Sequence, residues 1–307
     1  MSTPGRPYPS PDQVDIWVED LWNEGQTRQF RASQMIENGI RPRLGVRYVP
    51  GSAYVEFEPE GMEKFYGYWQ PARNSPAPLV VHTPGYGAEI AIHPDLVLQG
   101  YNLLHVNPLG YMTPQGADET KMRDGEWPVL ADTVLSRGEK GYRQWLLNCM
   151  LGIRWARQQE TVMQDRIAFF GTSQGGGASL LLSSVFKGRG ARCAGAEIPF
   201  LTGFALTEET AESEIYGRIV SGIEHATDPA ASWQAIGFFD TISHAHRLNL
   251  PVLLTTADQD HTCPPAAIHA LYRHLPGTKL ICQLHERGHT WSSEFETLLG
   301  AWLRLYA

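Results

Sequence analysis

One serine stands in a pattern that is typical of a catalytic nucleophile. Residues 171–175 form a G-x-S-x-G sequence around Ser173, after an apolar run and before a helical pattern. A serine at a sharp strand-to-helix turn projects its hydroxyl above the sheet, and glycines on either side allow the chain to turn tightly. The pattern by itself arises by chance in roughly one sequence of this composition in seven, so its context carries the prediction. The alternative is a glycine-rich turn with an incidental serine.

A nucleophilic serine needs a base, and the base needs a carboxylate that orients it. Downstream of Ser173, candidates for both follow two apolar runs in the order that this type of site requires. Asp258 and Asp260 compete for the carboxylate role, and His285 and His289 for the base. We favour Asp260, which precedes a Pro-Pro turn, and His289, which follows a glycine in a loop. Asp258 and His285 remain as alternatives.

An acyl-transfer site also needs hydrogen-bond donors for the oxyanion. One is the backbone N–H of Gln174, the residue after the predicted nucleophile. The second should come from the loop after an earlier strand, and Gly85-Tyr86-Gly87 follows the apolar run 79–82 in that position. Four aromatic residues next to these loops could rim a substrate pocket, although plain packing would explain them equally well. They are Tyr86, Tyr111, Phe200 and Trp291.

The type of secondary structure that the sequence predicts around these residues changes along the chain. A helical pattern spans about 11–38, and alternating runs at 44–48, 54–57 and 65–69 indicate antiparallel strands. From residue 79 onward, compact apolar runs alternate with helical patterns, as in a parallel sheet covered on both faces. The apolar runs are 79–81, 101–106, 167–170, 193–198, 252–256 and 280–284, and the helical patterns are 142–159, 178–186, 266–275 and 294–305.

This alternation predicts an α/β fold with a mostly parallel central sheet and helices on both faces. We expect a single domain over 1–307, with an N-terminal helix and antiparallel strands at about 11–70. Two long connections interrupt it, at about 107–139 and 201–235. Long loops within a domain are often functional, but these could equally be surface insertions with short helices.

The composition excludes several classes of protein. The chain has 307 residues, of which 42% are hydrophobic and 19% charged, unlike a disordered chain. A net charge of −8 gives no attraction for phosphate backbones, so we predict no nucleic-acid partner. No stretch approaches the ~18 apolar residues of a membrane span, and the start lacks the apolar segment of a signal peptide. We therefore expect a cytoplasmic protein without a membrane partner.

The cysteines and histidines show no pattern of a metal or cofactor site. The four cysteines are widely spaced without C-x-x-C, which favours reduced thiols over two disulfides. The eleven histidines include neither an H-E-x-x-H motif nor a tight Cys/His cluster, and glycine-rich nucleotide motifs are missing. We therefore predict no metal and no cofactor.

These residues together resemble the acetyl xylan esterase / cephalosporin C deacetylase family of α/β-hydrolases. The likeness runs from about residue 79 to the C-terminus and is carried by segments 171–177, 198–201, 238–240, 260–265 and 288–289. It implies an α/β-hydrolase fold with Ser173, His289 and Asp260 as a catalytic triad. It also implies that the backbone of Tyr86 is an oxyanion donor. Members are often hexamers with sites facing an inner cavity, so the resemblance implies that this chain could form a homo-oligomer.

Two segments depart from the family pattern. Its Arg-Gly-Gln is replaced here by the sequence Asn-Pro-Leu-Gly-Tyr at 107–111, and its His-Glu at the base by His289-Thr290. Neither change touches the predicted triad. Both bear on the substrate and on assembly, which the sequence leaves open.

The sequence therefore predicts a serine carboxylesterase that hydrolyses small acyl esters, acetyl esters in particular, of carbohydrates or related small molecules. The alternatives are another α/β-hydrolase activity (peptidase, thioesterase or general carboxylesterase), a non-catalytic binding protein of the same fold, and a metal hydrolase that uses the histidines. Rates on esters and amides, labelling of Ser173 by a fluorophosphonate, and sensitivity to a chelator distinguish these alternatives.

Overall fold

A computed structural model of the chain describes residues 6–35, 51–86, 93–128, 134, 141–206 and 208–307. The strands described there are β1 Phe30–Met35, β2 Ala53–Pro59, β3 Phe65–Gln70, β4 Ala77–Thr83, β5 Asn102–Asn107, β6 Met112–Thr113, β7 Gly116–Ala117, β8 Val162–Thr172, β9 Ala191–Glu197, β10 Val252–Ala257 and β11 Lys279–Leu284. The α-helices are α1 Pro11–Thr27, α2 Pro94–Leu98, α3 Tyr142–Ala156, α4 Gln174–Val185, α5 Glu214–Glu224, α6 Pro229–Gly237, α7 Pro265–His274 and α8 Ser293–Tyr306.

Nine of these strands form one mixed sheet in the order β1-β2-β3-β5-β4-β8-β9-β10-β11. The pairs β1–β2, β2–β3 and β3–β5 are antiparallel. Every pair from β5 to β11 is parallel. The carboxyl ends of the parallel strands therefore share one edge, where open α/β sheets place their ligands. The predicted α/β class with a mostly parallel sheet is confirmed.

The sheet is covered by helices on both faces, because successive side chains of a strand point to opposite sides. On β4, Leu79 and Val81 pack into the core on the side of α1, α3 and α4, whereas Val80 packs into the core on the side of α2 and α8. Burying a side chain of this size stabilises the fold by about 1.5–3 kcal/mol. Burial on both faces explains why these strands are continuous apolar runs in the sequence.

The N-terminal helix is shorter than its periodicity predicts. It begins at a capping box, in which the N–H of Gln13 donates to Ser10 Oγ at 3.3 Å and the N–H of Ser10 donates to Gln13 Oε1 at 2.9 Å. It ends at Thr27, and the prediction of a helix to about 38 is wrong. Residues 30–35 instead form β1, because they pair with β2, a long-range contact that local periodicity does not reveal. The strand predicted at 44–48 lies outside the described residues.

The two predicted connections contain further elements. The segment 201–235 includes α5 and most of α6, and the described part of 107–139 includes the short hairpin β6–β7. All four cysteines are free thiols. Among the described residues, no helix combines the length and the apolar character needed to cross a lipid bilayer.

His244 is a fully buried histidine in the segment between α6 and β10. Its Nε2–H donates to the carbonyl oxygen of Phe238 at 2.9 Å, and its Nδ1 accepts from the Ser184 hydroxyl at 2.9 Å. Burial, with a smaller contribution from Arg247, lowers the pKa of His244 to about 4. The ring is therefore neutral in the folded protein at neutral pH.

We expect the free energy of unfolding to fall as the pH drops below about 6.5. The unfolded chain then binds a proton that folded His244, with a pKa of about 4, does not bind. At pH 5 this difference amounts to about 2 kcal/mol. Urea unfolding at pH 7 and at pH 5 measures the fall in the free energy of unfolding. This fall should be about 2 kcal/mol smaller in His244→Gln than in the wild type. His285→Gln, whose parent side chain is 77% exposed, is the control, and equal falls in His244→Gln and the wild type would contradict the prediction.

Candidate active site

Ser173 lies at the sharp turn between β8 and α4. Its backbone has φ 57° and ψ −122°, a conformation that is strained for a residue with a side chain. Two hydrogen bonds hold the turn: the N–H of Ser173 donates to the carbonyl oxygen of Glu197, and the N–H of Phe200 donates to that of Ser173, each at 2.9 Å. Neighbouring strand ends therefore fix the predicted nucleophile in its strained position.

Gly171 and Gly175 are required by close backbone approaches at this turn. A Cβ atom on Gly175 would lie 2.1 Å from the carbonyl oxygen of Thr83, and one on Gly171 would lie 2.5 Å from the same atom. Only glycine avoids this clash. The hydroxyl of Thr83 also donates to the carbonyl oxygen of Gly175 at 2.7 Å. The loop that follows β4 and carries Tyr86 is thereby held against the turn that carries Ser173.

The side chains of Ser173, His289 and Asp260 form one hydrogen-bonded chain. Nε2 of His289 lies 2.9 Å from Oγ of Ser173, and Nδ1 of His289 lies 2.8 Å from Oδ2 of Asp260. The other carboxylate oxygen accepts the backbone N–H groups of Thr262 and Cys263, both at 2.8 Å. The Asp260 side chain is fully buried, whereas 26% of the His289 side chain is exposed. The loops after β8, β10 and β11 thus bring the three groups together.

The hydrogen bonds define the proton positions on His289. A carboxylate can only accept, so Nδ1 of His289 carries the proton that is donated to Asp260. Nε2 is then unprotonated in the neutral ring and accepts the hydroxyl proton of Ser173. This is the tautomer that a general base needs.

The alternative residues Asp258 and His285 contact each other instead. Nδ1 of His285 lies 3.4 Å from Oδ2 of Asp258, and 77% of the His285 side chain is exposed. Hydrogen bonds from the backbone N–H groups of Glu286 and Arg287, with a smaller contribution from His285, lower the pKa of Asp258. Asp258 therefore binds its own loop region, as aspartates in loops commonly do.

Cys263 is a second potential nucleophile beside Ser173. Burial and the nearby Asp260 raise the pKa of its thiol well above the usual value, against a smaller opposite effect of a hydrogen bond with Ser173. A protonated thiol is a poor nucleophile, which favours the serine.

The potential metal ligands of Asp260, Cys263 and His289 lie within 4.8 Å of one another. A metal bound there would occupy the histidine that accepts the serine proton.

A groove of about 620 Å³ lies between Tyr86, in the loop after β4, and Thr262, in the loop that also carries Asp260. Tyr86 is 47% exposed in this groove, and its hydroxyl donates to the carbonyl oxygen of Trp127 at 2.6 Å. The ring of Tyr111 stacks on Trp127 with centroids 4.5 Å apart. Polar residues complete the wall: Glu126, Glu212, Glu214, Arg218, His261 and Thr262. Ser173, His289 and Asp260 line neither this groove nor a second cavity, of about 230 Å³ beside Tyr8. The groove, unlike the second cavity, includes Tyr86 and the two residues that follow Asp260.

The two other aromatic candidates have different positions. Phe200 is only 5% exposed, and its ring packs edge-on against Phe204 and Tyr216 in the core. This burial corrects the prediction that Phe200 rims the pocket. Trp291 is 55% exposed, two residues after His289.

Gln174 begins α4, so its backbone N–H belongs to the first turn, where N–H groups have no partner within the helix.

Glu197 is a buried carboxylate that the sequence patterns do not single out. It ends β9, is 0% exposed, and accepts hydrogen bonds from Thr172 and Ser292. Burial raises the pKa of Glu197, and these hydrogen bonds oppose the rise. The available signal is a charged residue at the end of β9, directly after four apolar or small residues at 193–196.

Proteins of known structure share this architecture over most of the chain. Acetyl xylan esterase 1 from Thermoanaerobacterium sp. JW/SL YS485 is 18% identical, and the acetyl xylan esterase from Paenibacillus sp. R4 is 21% identical. Both superpose with a TM-score of 0.77 over 98% of this chain and 96% of the other. An acylaminoacyl peptidase from Pyrococcus horikoshii is 16% identical, with a TM-score of 0.58 over 87% of this chain and 39% of the peptidase. These likenesses establish the α/β-hydrolase fold.

The sequence itself identifies the family. The family profile of acetyl xylan esterase (AXE1) matches residues 53–304, which is most of the chain. The matched range includes Ser173, Asp260 and His289. The chain belongs to the acetyl xylan esterase family of hydrolases.

Proposed function

We propose that this protein is a serine esterase that removes small acyl groups, acetyl above all, from carbohydrates or related small molecules. The observation that carries the proposal is the hydrogen-bonded chain from Asp260 through His289 to Ser173, with distances of 2.8 and 2.9 Å. These three groups have the geometry of a nucleophile, a base and an orienting carboxylate. Membership of the acetyl xylan esterase family supports the choice of an acetyl ester.

The first half of the proposed reaction transfers the acyl group to the enzyme. Oγ of Ser173 attacks the ester carbonyl while Nε2 of His289 takes the hydroxyl proton. The tetrahedral intermediate collapses, the bond to the alcohol breaks, and His289 delivers its proton to the departing oxygen. Asp260 stabilises the imidazolium that forms between these two steps.

The second half releases the acid. His289 removes a proton from water, the resulting hydroxide attacks the acyl-serine, and the proton returns to Oγ of Ser173 as the carboxylic acid leaves. In both halves we assign the backbone N–H groups of Gln174 and Tyr86 to the oxyanion. The positive end of the α4 dipole lies at Gln174 and adds to this stabilisation. One such donor contributes about 2.7–4 kcal/mol to the transition state.

The polar lining of the groove suits a substrate with a polar leaving alcohol. It begins at Tyr86, beside the proposed oxyanion site, and its walls combine aromatic rings with carboxylates and Arg218. Carboxylates and guanidinium groups supply the hydrogen-bond acceptors and donors that sugar hydroxyls need. A purely apolar alcohol would leave these groups without partners, which is costly.

A substrate panel tests the proposal. We expect kcat/KM to be highest for acetylated xylo-oligosaccharides and 4-nitrophenyl acetate, and to fall at least about tenfold for the butyrate, because added methylenes must fit a site selected for acetate. Peptide 4-nitroanilides should be cleaved far more slowly. Hydrolysis of the anilides as fast as that of the acetate would assign the protein to the peptidases instead.

A further inference from the structure

The carboxylate of Glu197 is fully buried between the loops that carry the two reacting side chains. Its Oε2 accepts the hydroxyl of Thr172 at 2.6 Å. Its Oε1 accepts both the backbone N–H of Ser292, at 2.8 Å, and the hydroxyl of Ser292, at 2.7 Å. Three donors from two different chain segments therefore converge on one side chain.

Each segment leads directly to a group of the proposed triad. Thr172 is the last residue of β8 and immediately precedes Ser173. Ser292 follows His289 by three residues and caps α8, since its hydroxyl oxygen accepts the N–H of Phe295 at 3.2 Å. The carbonyl oxygen of Glu197 also accepts the N–H of Ser173 at 2.9 Å. Glu197 thus connects the nucleophile turn to the end of the histidine loop.

We infer that Glu197 is a positioning residue that sets the distance between His289 and Ser173 by tying their two loops together. The inference rests on the proposed function. Proton transfer needs Nε2 of His289 and Oγ of Ser173 at hydrogen-bond distance, here 2.9 Å. The histidine loop has no strand pairing at His289, so the tie through Ser292 restrains it where it approaches the serine.

The chemistry of a carboxylate suits this role. Its two oxygens offer about four acceptor sites, enough for the three donors that meet there. Glutamine would keep the Oε1 acceptor for both groups of Ser292, and its amide could donate to the hydroxyl oxygen of Thr172. Alanine would leave all three donors without a partner in a buried space. Glu197→Gln therefore removes only the charge, whereas Glu197→Ala also removes the hydrogen bonds that connect the two loops.

Replacing Glu197 with alanine should lower kcat for 4-nitrophenyl acetate by about 10²-fold, because a misplacement of the order of 1 Å has that effect. KM should stay within about threefold, since Glu197 does not line the groove. Glu197→Gln should recover kcat to within about threefold of the wild type. Thr172→Val, which removes a single donor, should lower kcat about tenfold. Steady-state kinetics on folded protein, checked by circular dichroism, give these values.

Asp240→Ala is the matched control for Glu197→Ala. Asp240 is also 0% exposed and accepts several hydrogen bonds, but from Tyr8, Gly203, Phe204 and Ile242, outside the triad loops. It should lower Tm and leave kcat within about threefold. An equal loss of kcat in Asp240→Ala, or full kcat in Glu197→Ala, would overturn the positioning role.

Two further results separate the failure of this inference from that of the proposed function. If Glu197→Ala does not fold, full kcat in Thr172→Val overturns the positioning role. Activity that disappears in Ser173→Ala but is unchanged in the Glu197 and Thr172 variants overturns only the positioning role. Activity that persists in Ser173→Ala rejects the proposed function, and the positioning role with it.

Discussion

Replacing Ser173 with alanine should reduce kcat for acetyl ester hydrolysis by about 10⁶-fold, to the level of the oxyanion site and binding alone. The variant loses the nucleophile, and His289 is left without the hydroxyl that lies 2.9 Å from its Nε2. The turn itself should persist, because its shape depends on backbone hydrogen bonds and on Gly171 and Gly175. Hydrolysis of 4-nitrophenyl acetate by wild type and variant, purified side by side, measures the loss.

Ser183→Ala controls for the removal of a serine hydroxyl elsewhere on the helix that follows Ser173. Ser183 lies on the same helix, α4, is fully buried and donates to the carbonyl oxygen of Ser179 at 2.8 Å. It should keep kcat within about twofold, since its hydroxyl bonds only within the helix. A fluorophosphonate should label the wild type and Ser183→Ala but not Ser173→Ala. Activity above 1% in Ser173→Ala, or labelling of that variant, would contradict the proposed nucleophile.

The sheet was predictable where burial alone determines the sequence. The run at 252–256 begins with three consecutive apolar residues because helices cover both sides of β10, and β10 was found at Val252–Ala257. The N-terminal region shows the limit of such reasoning. Residues 30–35 carry no strong strand signal of their own, and their conformation depends on pairing with β2. A partner that lies outside the local sequence cannot be inferred from its periodicity.

Some features of the candidate site could likewise be predicted from the sequence, and others could not. The order Ser173, Asp260, His289 and the glycines of the turn are sequence signals, because backbone geometry demands particular residue types there. The direction in which a side chain points cannot be predicted from residue types in this way. Phe200 is next to the predicted pocket in sequence, yet its ring turns into the core against Tyr216. Glu197 could not be assigned because its partners meet only in the folded chain.

Asp260→Asn should lower kcat by about 10⁴-fold while leaving the loop intact. The asparagine Oδ1 can still accept the backbone N–H groups of Thr262 and Cys263. Its amide nitrogen, however, would face Nδ1 of His289 where Oδ2 of Asp260 now lies at 2.8 Å, and an amide N–H donates. Nδ1 would have to accept, so the proton moves to Nε2. That nitrogen could then no longer accept the proton of Ser173.

Asp258→Asn is the matched control, because it makes the same chemical change two residues away in the same loop. Asp258 contacts the exposed His285 rather than His289, so kcat should stay within about threefold of the wild type. Both variants should keep Tm within a few degrees, and kcat at pH 7 to 9 on 4-nitrophenyl acetate compares them. If Asp258→Asn proved the more damaging of the two, the carboxylate role would pass to Asp258. The hydrogen bond between Asp260 and His289 would then contribute to structure alone.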